Sequence, residues 1–598
     1  MKLFNLLCIA SLGMYCVTCS CLAAPQPASK VLLAQVQTEK IAQVTSGALK
    51  TAHANWWGFD KTDATAALQN AINSGVPKLI VDNMGSDWII NKPIQLASNQ
   101  QIVFEDGVVV QAKKGMFKGK KDSLFDANTI SDFALIGQGN VIFRMHRADY
   151  DNRQLYEKAE WRHGISLRDC KNVIIRGLTV EETGGDGLYL GASANGFNKN
   201  VLVENCNFDK NYRQVISVIS AEDLMIRNCK LTNTGADKLG TAPQAGIDFE
   251  PNGLNQRIVN CVLEKCELAG NAGGGVIFSI GKLELPVSVT LNNCSFAKNK
   301  SGGMFSSIGG TSTVIVKNSK FAHDGITLRN ARTDQRFVFQ DCVVDASEAQ
   351  SAPIMLTARH DLRNTVIGNV AFKNTTVLIN KGQKPLGFNL LQGSFGSQAY
   401  GISLSDKITG SITVKEGKKS QKINVPEYVK QQQQELRFAD PDYALRQKYK
   451  NVQTFDITQQ WRFLPDSANG KNVASATFDD SSWKTIDAGN WWQKQGFKYH
   501  GAAWYRKSID LPALTKEQKV FLYFDGVDGS TTVYVNGKNV GEHLLAPDYT
   551  GWDLPFQFDI TDAVKTGNNR IAVQVTSKSN DTASGINQSV HIGIGTAP

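Results

Sequence analysis

From about residue 160 to residue 345 the apolar residues come in short Val/Ile/Leu runs separated by Asn, Asp and Gly, with no helix-length segment between runs. The runs recur at a fixed interval. Aligning the Asn-Cys and Asp-Cys pairs places Cys206, Cys229, Cys266, Cys294, Ser319 and Cys342 in one series, and all but one of the steps span 23 to 28 residues. A period of that size predicts a coiling chain, each coil supplying three short strands that pair with the coils above and below at ~4.8 Å. A single coil cannot bury its apolar face, but a stack can, with small residues at matching positions forming ladders inside the tube. The segment TDATAALQNAINSG, residues 62 to 75, has apolar residues at helical spacing after an acidic start. It predicts a helix that plugs the N-terminal end, where strand edges would otherwise lie open.

The third strand of each coil aligns through a leading glycine or its equivalent: HGISLR from 163, DGLYLG from 186, QVISVI from 214, AGIDFE from 245, GGVIFS from 274 and GGMFSS from 302. In this register Ile165, Leu188, Ile216, Ile247, Val276 and Met304 point into the tube. Ser166, Tyr189, Ser217, Asp248, Ile277 and Phe305 then point out, because side chains alternate along a strand.

A different pattern follows. Residues 414 to 451 are rich in Lys and Gln and read as a linker, partly helical. From about residue 452 alternating strands with Gly and Asn turns predict an antiparallel β-sandwich. The expected organisation is an export signal over 1–24, a capped coil over 25–413, the linker, and the sandwich over 452–598.

Residues 50 to 410, with FDKTDATAALQNAI and with ALIGQGNVIF followed by NVIIRGLTV, resemble the pectate-lyase and polygalacturonase superfamily of right-handed parallel β-helices. The last 145 residues or so, with VFLYFDGVDGSTTVYVNGKNVGEH and FQFDITDAVKTGNNRIAVQV, resemble the sugar-binding jelly roll of the β-galactosidase and β-glucuronidase families. The resemblances imply an all-β protein that acts on carbohydrate. The first superfamily holds lyases, hydrolases, epimerases and tailspikes, so the fold does not select the reaction. In the second group the jelly roll accompanies a catalytic barrel, which this sequence lacks.

Charge and cysteine usage narrow the partners. A net charge of +9 over 598 residues permits an anionic polysaccharide and gives no nucleic-acid signature. The N-terminus, MKLFNLLCIASLGMYCVTCSCLAAPQ, reads as an export signal, so a secreted or periplasmic location is expected. A lipoprotein reading through Cys21 meets Thr18 where an aliphatic residue is usual. No later run approaches the ~20 apolar residues of a membrane span. Four of the 11 cysteines fall in the signal and leave an odd seven, which read as buried thiols rather than as disulfides or a metal site.

The candidate chemistry is carboxylic. Asp248 and Glu250 leave the same face of one strand about 7 Å apart, a separation that suits the acid and base of an inverting glycosidase. Asp186, two coils earlier, joins them only if side chains converge. Trp161, Arg162, His163, Tyr189, Arg213 and Gln214 are the expected substrate contacts, with Glu160 and Tyr212 beside them. The coil before Asp248 is the longest, 37 residues from Cys229 to Cys266, and its surplus flanks both acids. Trp491, Trp492, Tyr499 and Trp504 are candidates for stacking on sugar in the sandwich. No serine nucleophile elbow, phosphate loop or HExxH zinc signature is present, and the polygalacturonase pattern of Asn-Thr-Asp, Asp-Asp and Gly-His-Gly is missing.

The expectation is a polysaccharide-cleaving glycoside hydrolase of inverting type, without metal or cofactor. Two alternatives stay open. In a polysaccharide lyase the acids would hold Ca²⁺ or a uronate while Arg213 or His163 takes the proton. In an adhesin both domains would bind glycan without cleaving it. The sequence leaves the sugar, the linkage and the oligomeric state open.

Overall fold

The recurring Asn-Cys pair marks an elbow. Asn205, Asn228, Lys265, Asn293, Asn318 and Asp341 all have φ between 52° and 55°, a left-handed conformation that Asn and Asp tolerate better than most residues. The elbow turns the next residue inward, where only a small side chain fits. Cys229 illustrates this: its thiol donates to the carbonyls of Arg227 and Val203 at 3.2 and 3.6 Å. Ser319 fills the same place, its hydroxyl donating to Lys317 O at 2.8 Å and accepting the Cys294 N–H at 3.0 Å. The seven cysteines after the signal stretch, Cys170 and Cys261 included, are free and buried.

These observations come from a computed structural model that describes residues 33–347, 351–357, 366–389, 403–439, 450–465, 472–499, 501–544, 556–576 and 584–596. The expected signal over 1–24 lies outside them. No helix among the described residues is long and apolar enough to cross a membrane.

Each elbow separates two strands and a wider turn leads to a third. One coil contributes Asn198–Glu204, Asn207–Asp209 and Ile216–Val218. These pair in parallel with the next coil through Val201↔Leu224, Phe208↔Leu231 and Ile216↔Ile247. The third strands form an 11-stranded sheet. Six of them concern the site: β1 (Ile165–Arg168), β2 (Leu188–Gly191), β3 (Ile216–Val218), β4 (Ile247–Phe249), β5 (Val276–Ile280) and β6 (Met304–Ile308).

Their register is the expected one. Ile165, Leu188, Ile216, Ile247, Val276 and Met304 stand in one buried row, and Ser166, Tyr189, Ser217, Asp248, Ile277 and Phe305 in the next. The leading glycines are set by close approach: a Cβ on Gly246 would lie 2.6 Å from the Gly275 carbonyl oxygen, and one on Gly275 equally close to Gly303 O.

Both ends of the tube are covered. The N-terminal helix α1 (Thr65–Asn73) buries Leu68, Ala71 and Ile72 in the coil's core. At the other end the expected linker starts inside the coil. Ile408–Glu416 pairs in parallel with Val370–Ile379, then turns back on itself as a hairpin with Lys419–Asn424. The helix α2 (Val425–Ala439) follows, with Val425 and Val429 in the coil's core and the Tyr428 hydroxyl donating to Leu386 O at 3.0 Å. The outward Lys and Gln residues gave this cap the composition of a linker.

The C-terminal region is a sandwich of a four-stranded and a six-stranded antiparallel sheet around Trp461, Trp492, Tyr505 and Leu522. Trp492 and Trp504, two of the candidates for stacking on sugar, are core residues. Trp492 packs among the inner faces of the sheets and Trp504 against Val473, Trp483 and Ala572. Trp491 remains partly exposed with the Lys494 ammonium 4.3 Å from its ring centroid, and the Tyr499 carbonyl accepts the Trp492 indole N–H at 2.8 Å.

Candidate functional site

The outward face of β1 to β4 carries polar side chains where the later strands β5 and β6 carry Ile277 and Phe305. Two segments wall it. The short helix Arg147–Asp151 supplies Arg147, which is buried and donates from Nε to Glu182 at 3.0 Å and in bidentate fashion to Asp237 at 3.0 and 2.5 Å. Asp237 belongs to the long insertion before Asp248, so this pair fastens the insertion to the segment that leads to Trp161. Tyr212 fastens the same segment to its own coil: its hydroxyl donates to Asp151 at 2.8 Å and accepts from Arg153 at 3.0 Å.

Three carboxyl groups converge on the floor. Arg213 Nη1 lies 2.6 Å from Glu250 and 3.8 Å from Asp186, and Nη2 completes a bidentate pair with Glu250 at 2.8 Å. Gln214 Nε2 reaches Asp248 Oδ2 at 3.1 Å and Glu250 Oε1 at 3.0 Å, and the Ser217 hydroxyl lies 3.1 Å from the same Glu250 oxygen. Asp186 thus meets the other two acids across two coils, through long side chains of the coil between them.

Burial decides how the acids behave. Asp248 is 2% exposed and Asp186 fully buried. Burial, and after it the negative charge of Glu250, pushes the Asp248 carboxyl up to about 7, against the Gln214 hydrogen bond and the Arg213 charge. Because Oδ2 accepts from Gln214, the proton of the neutral form sits on Oδ1. Burial alone would lower the Arg213 value, but its hydrogen bonds to Glu250 and the charges of Asp186, Glu250 and Glu160 hold it above the ordinary range.

His163 is a buried neighbour of Asp186. Its Nδ1 accepts the Asp186 backbone N–H at 3.0 Å and lies 3.3 Å from Asp186 Oδ2. The ring stacks on Tyr189, with centroids 4.4 Å apart and planes 2° from parallel. Trp161, 41% exposed, and Glu160, whose carboxylate lies 3.6 Å from Arg213 Nε, form the rim.

Seven buried polar atoms here have no hydrogen-bond partner among the described residues: Ser166 Oγ, His163 Nε2, both Asp186 carboxyl oxygens, Arg213 Nε, Gln214 Oε1 and Asp248 Oδ1. Buried polar groups in folded proteins are otherwise almost always paired. Such a concentration in one place is what a ligand site, or a cluster of bound water, leaves behind.

Two expectations need correction. Arg162 is not a surface contact: fully buried, it donates to the carbonyls of Phe117, Lys118 and Glu157 at 3.0, 3.2 and 3.3 Å, with its guanidinium 5.4 Å from the ring centroids of both Tyr150 and Tyr156. Glu250 is not an open partner for Asp248, because both its oxygens are taken by Arg213. Ser166 and Ser217 join the site without having been singled out; outward serines are ordinary on a solvated strand, and only the row they share with Asp248 distinguishes them. No group of three or more His, Cys, Asp or Glu suited to a metal occurs among the described residues.

Comparison with known proteins divides the chain in the same way. Residues 91–252 match the family model described as "right handed beta helix region", and residues 493–589 match "Glycosyl hydrolases family 2, sugar binding domain". The chain is similar to a β-galactosidase of Thermoanaerobacter pseudethanolicus, 35% identical over 137 residues, covering 22% of this chain and 17% of that protein. It is also similar to an SPbeta prophage-derived uncharacterized protein, YorA, of Bacillus subtilis, 25% identical over 240 residues, covering 37% and 40%. A solved β-glucuronidase of Bacteroides uniformis is 30% identical over 24% of this chain and 18% of that one, with a TM-score of 0.21. The chain thus spans less than half the length of each of these relatives.

Proposed function

We propose that the chain is a secreted glycoside hydrolase that cleaves a polysaccharide on the outward face of β1 to β4, by inversion, with the C-terminal sandwich as an accessory glycan-binding module. Asp248 is the proton donor. Its proton sits on the unpartnered Oδ1 and its value near 7 keeps it available at neutral pH, as a general acid requires. Asp186 is the base. Neither of its oxygens accepts a hydrogen bond from the described residues, with Arg213 Nη1 3.8 Å from one and His163 Nδ1 3.3 Å from the other, so one can accept a proton from water as that water adds to the anomeric carbon, while the Asp248 proton goes to the departing glycosidic oxygen.

Glu250 serves differently from the sequence expectation, as the counter-ion that fixes Arg213 over the floor. Trp161 and Tyr189 offer ring faces to the sugar, and Gln214 and His163 offer polar edges. The observation that carries this reading is the cluster of seven unpartnered atoms. The match of residues 493–589 to a sugar-binding domain agrees with a carbohydrate substrate. No observation favours the lyase: the Arg213 fork is filled by Glu250, and the Nδ1 lone pair of His163 is taken by the Asp186 N–H.

Product analysis on neutral, sulfated and uronate polysaccharides tests the reading. New reducing ends without unsaturated sugars are expected. Unsaturated ends would replace the hydrolase with a lyase, and glycan binding with no change in chain length would replace it with an adhesin.

A further inference from the structure

We infer that the sugar ring held at this floor is uncharged, a neutral pyranose and not a uronate. The inference rests on the hydrolase reading and specifies its substrate class.

The charges facing the floor are few. Asp186, Asp248 and Glu250 surround one cation, Arg213. His163 is turned to Asp186, its Nδ1 lying 3.0 Å from the backbone N and 3.3 Å from Oδ2. On the rim stand Glu160, Arg168, whose guanidinium lies 5.9 Å from the Tyr189 ring centroid, and Lys121, 6.0 Å from that of Trp161. Recognition of a sugar carboxylate in such a site calls for an arginine fork turned to the ligand. Here the Arg213 fork is occupied by Glu250 at 2.6 and 2.8 Å, and the Arg168 guanidinium lies over the Tyr189 ring.

The unpartnered atoms point the same way. Arg213 Nε, His163 Nε2 and protonated Asp248 Oδ1 are donors, the two Asp186 oxygens and Gln214 Oε1 are acceptors, and Ser166 Oγ can be either. Each hydroxyl of a neutral sugar both donates and accepts, so a set of them can satisfy this mixture. A carboxylate only accepts. It would leave the Asp186 oxygens and the Gln214 carbonyl without donors and bring a like charge against them.

Matched pairs test the inference on the full chain: aryl glucoside against glucuronide, galactoside against galacturonide, mannoside against mannuronide, and oligosaccharides of a cleaved glycan against their C6-oxidised forms. The neutral member should have a kcat/KM at least about tenfold higher. Equal or higher values for the uronide would overturn the inference while leaving the hydrolase in place. If no pair is hydrolysed, the hydrolase reading falls, and calorimetric binding of the same oligosaccharide pairs decides the substrate class: preference for the oxidised member overturns it. The variant Glu250→Gln, which loosens the Arg213 fork, should narrow the neutral preference through the uronide's KM. An unchanged preference would mean that the fork does not set it.

Discussion

Asp248→Asn is expected to lower kcat by about 10²- to 10⁴-fold, the range a positioned general acid supplies, with little change in KM and no loss of fold. The amide fits the same space and still meets Gln214, but it has no acidic proton to give. The same variant carries an independent signature in stability. Folding raises the affinity of this carboxyl for its proton, from an ordinary value of 3.8 to about 7, with burial the main cause. Its contribution to stability is therefore complete below about pH 4 and is lost as the pH rises through 7. The amide does not titrate, so Asp248→Asn should gain thermal stability relative to the parent between pH 4 and pH 8, most at the upper end. Loss of turnover with the parent's pH-dependent melting unchanged would mean that Asp248 is not the buried, proton-holding group described.

Arg213→Met should be the most destabilising change at the site. It removes the cation that Glu250 meets in bidentate contact and that Asp186 and Glu160 face. Breaking a buried ion pair on one side costs about 3–5 kcal/mol, because the remaining charge stays buried and unpaired. Arg213 and Glu250 keep 15% and 21% of their side-chain surface exposed, so the lower end of that range applies. Denaturant unfolding should show the loss, and the double variant Arg213→Met/Glu250→Gln should recover part of it. If the single variant unfolds like the parent, the pair is a surface contact and the floor is not closed as described.

Most of the architecture was legible because two geometric demands leave marks in the sequence. A left-handed elbow followed by a cramped interior position calls for Asn or Asp and then Cys or Ser, which is why Asn205-Cys206 and its successors reveal the period. The abutting carbonyl of the next coil calls for glycine at 246 and 275, which fixed the register of the third strands and the outward place of Asp248.

The site was less legible, for reasons of side-chain reach. Asp186 and Asp248 stand two coils apart, and only the conformations of Arg213 and Gln214 bring them into one cluster. Arg162 and His163 follow Trp161 directly, yet Trp161 is at the surface and both of them are buried. Nothing in the local sequence separates them, because the Phe117, Tyr150 and Tyr156 contacts of Arg162 come from other segments. The helix α2 falls in a stretch read as a partly helical linker because Lys430 and Gln431 are exposed, although Val425 and Val429 pack in the coil's core and Gln432 is buried, accepting from Lys384 at 2.9 Å.

The claim on which the function depends is that a carboxylic acid with a value near 7, buried on the sheet of third strands, supplies the proton for glycoside cleavage. The pH dependence of kcat/KM on a cleaved neutral glycan, measured with the parent chain, tests it most directly. The account predicts a descending alkaline limb centred near pH 7. A rate that holds level from pH 6 to pH 9 would contradict it, because the proposed donor would by then have lost its proton.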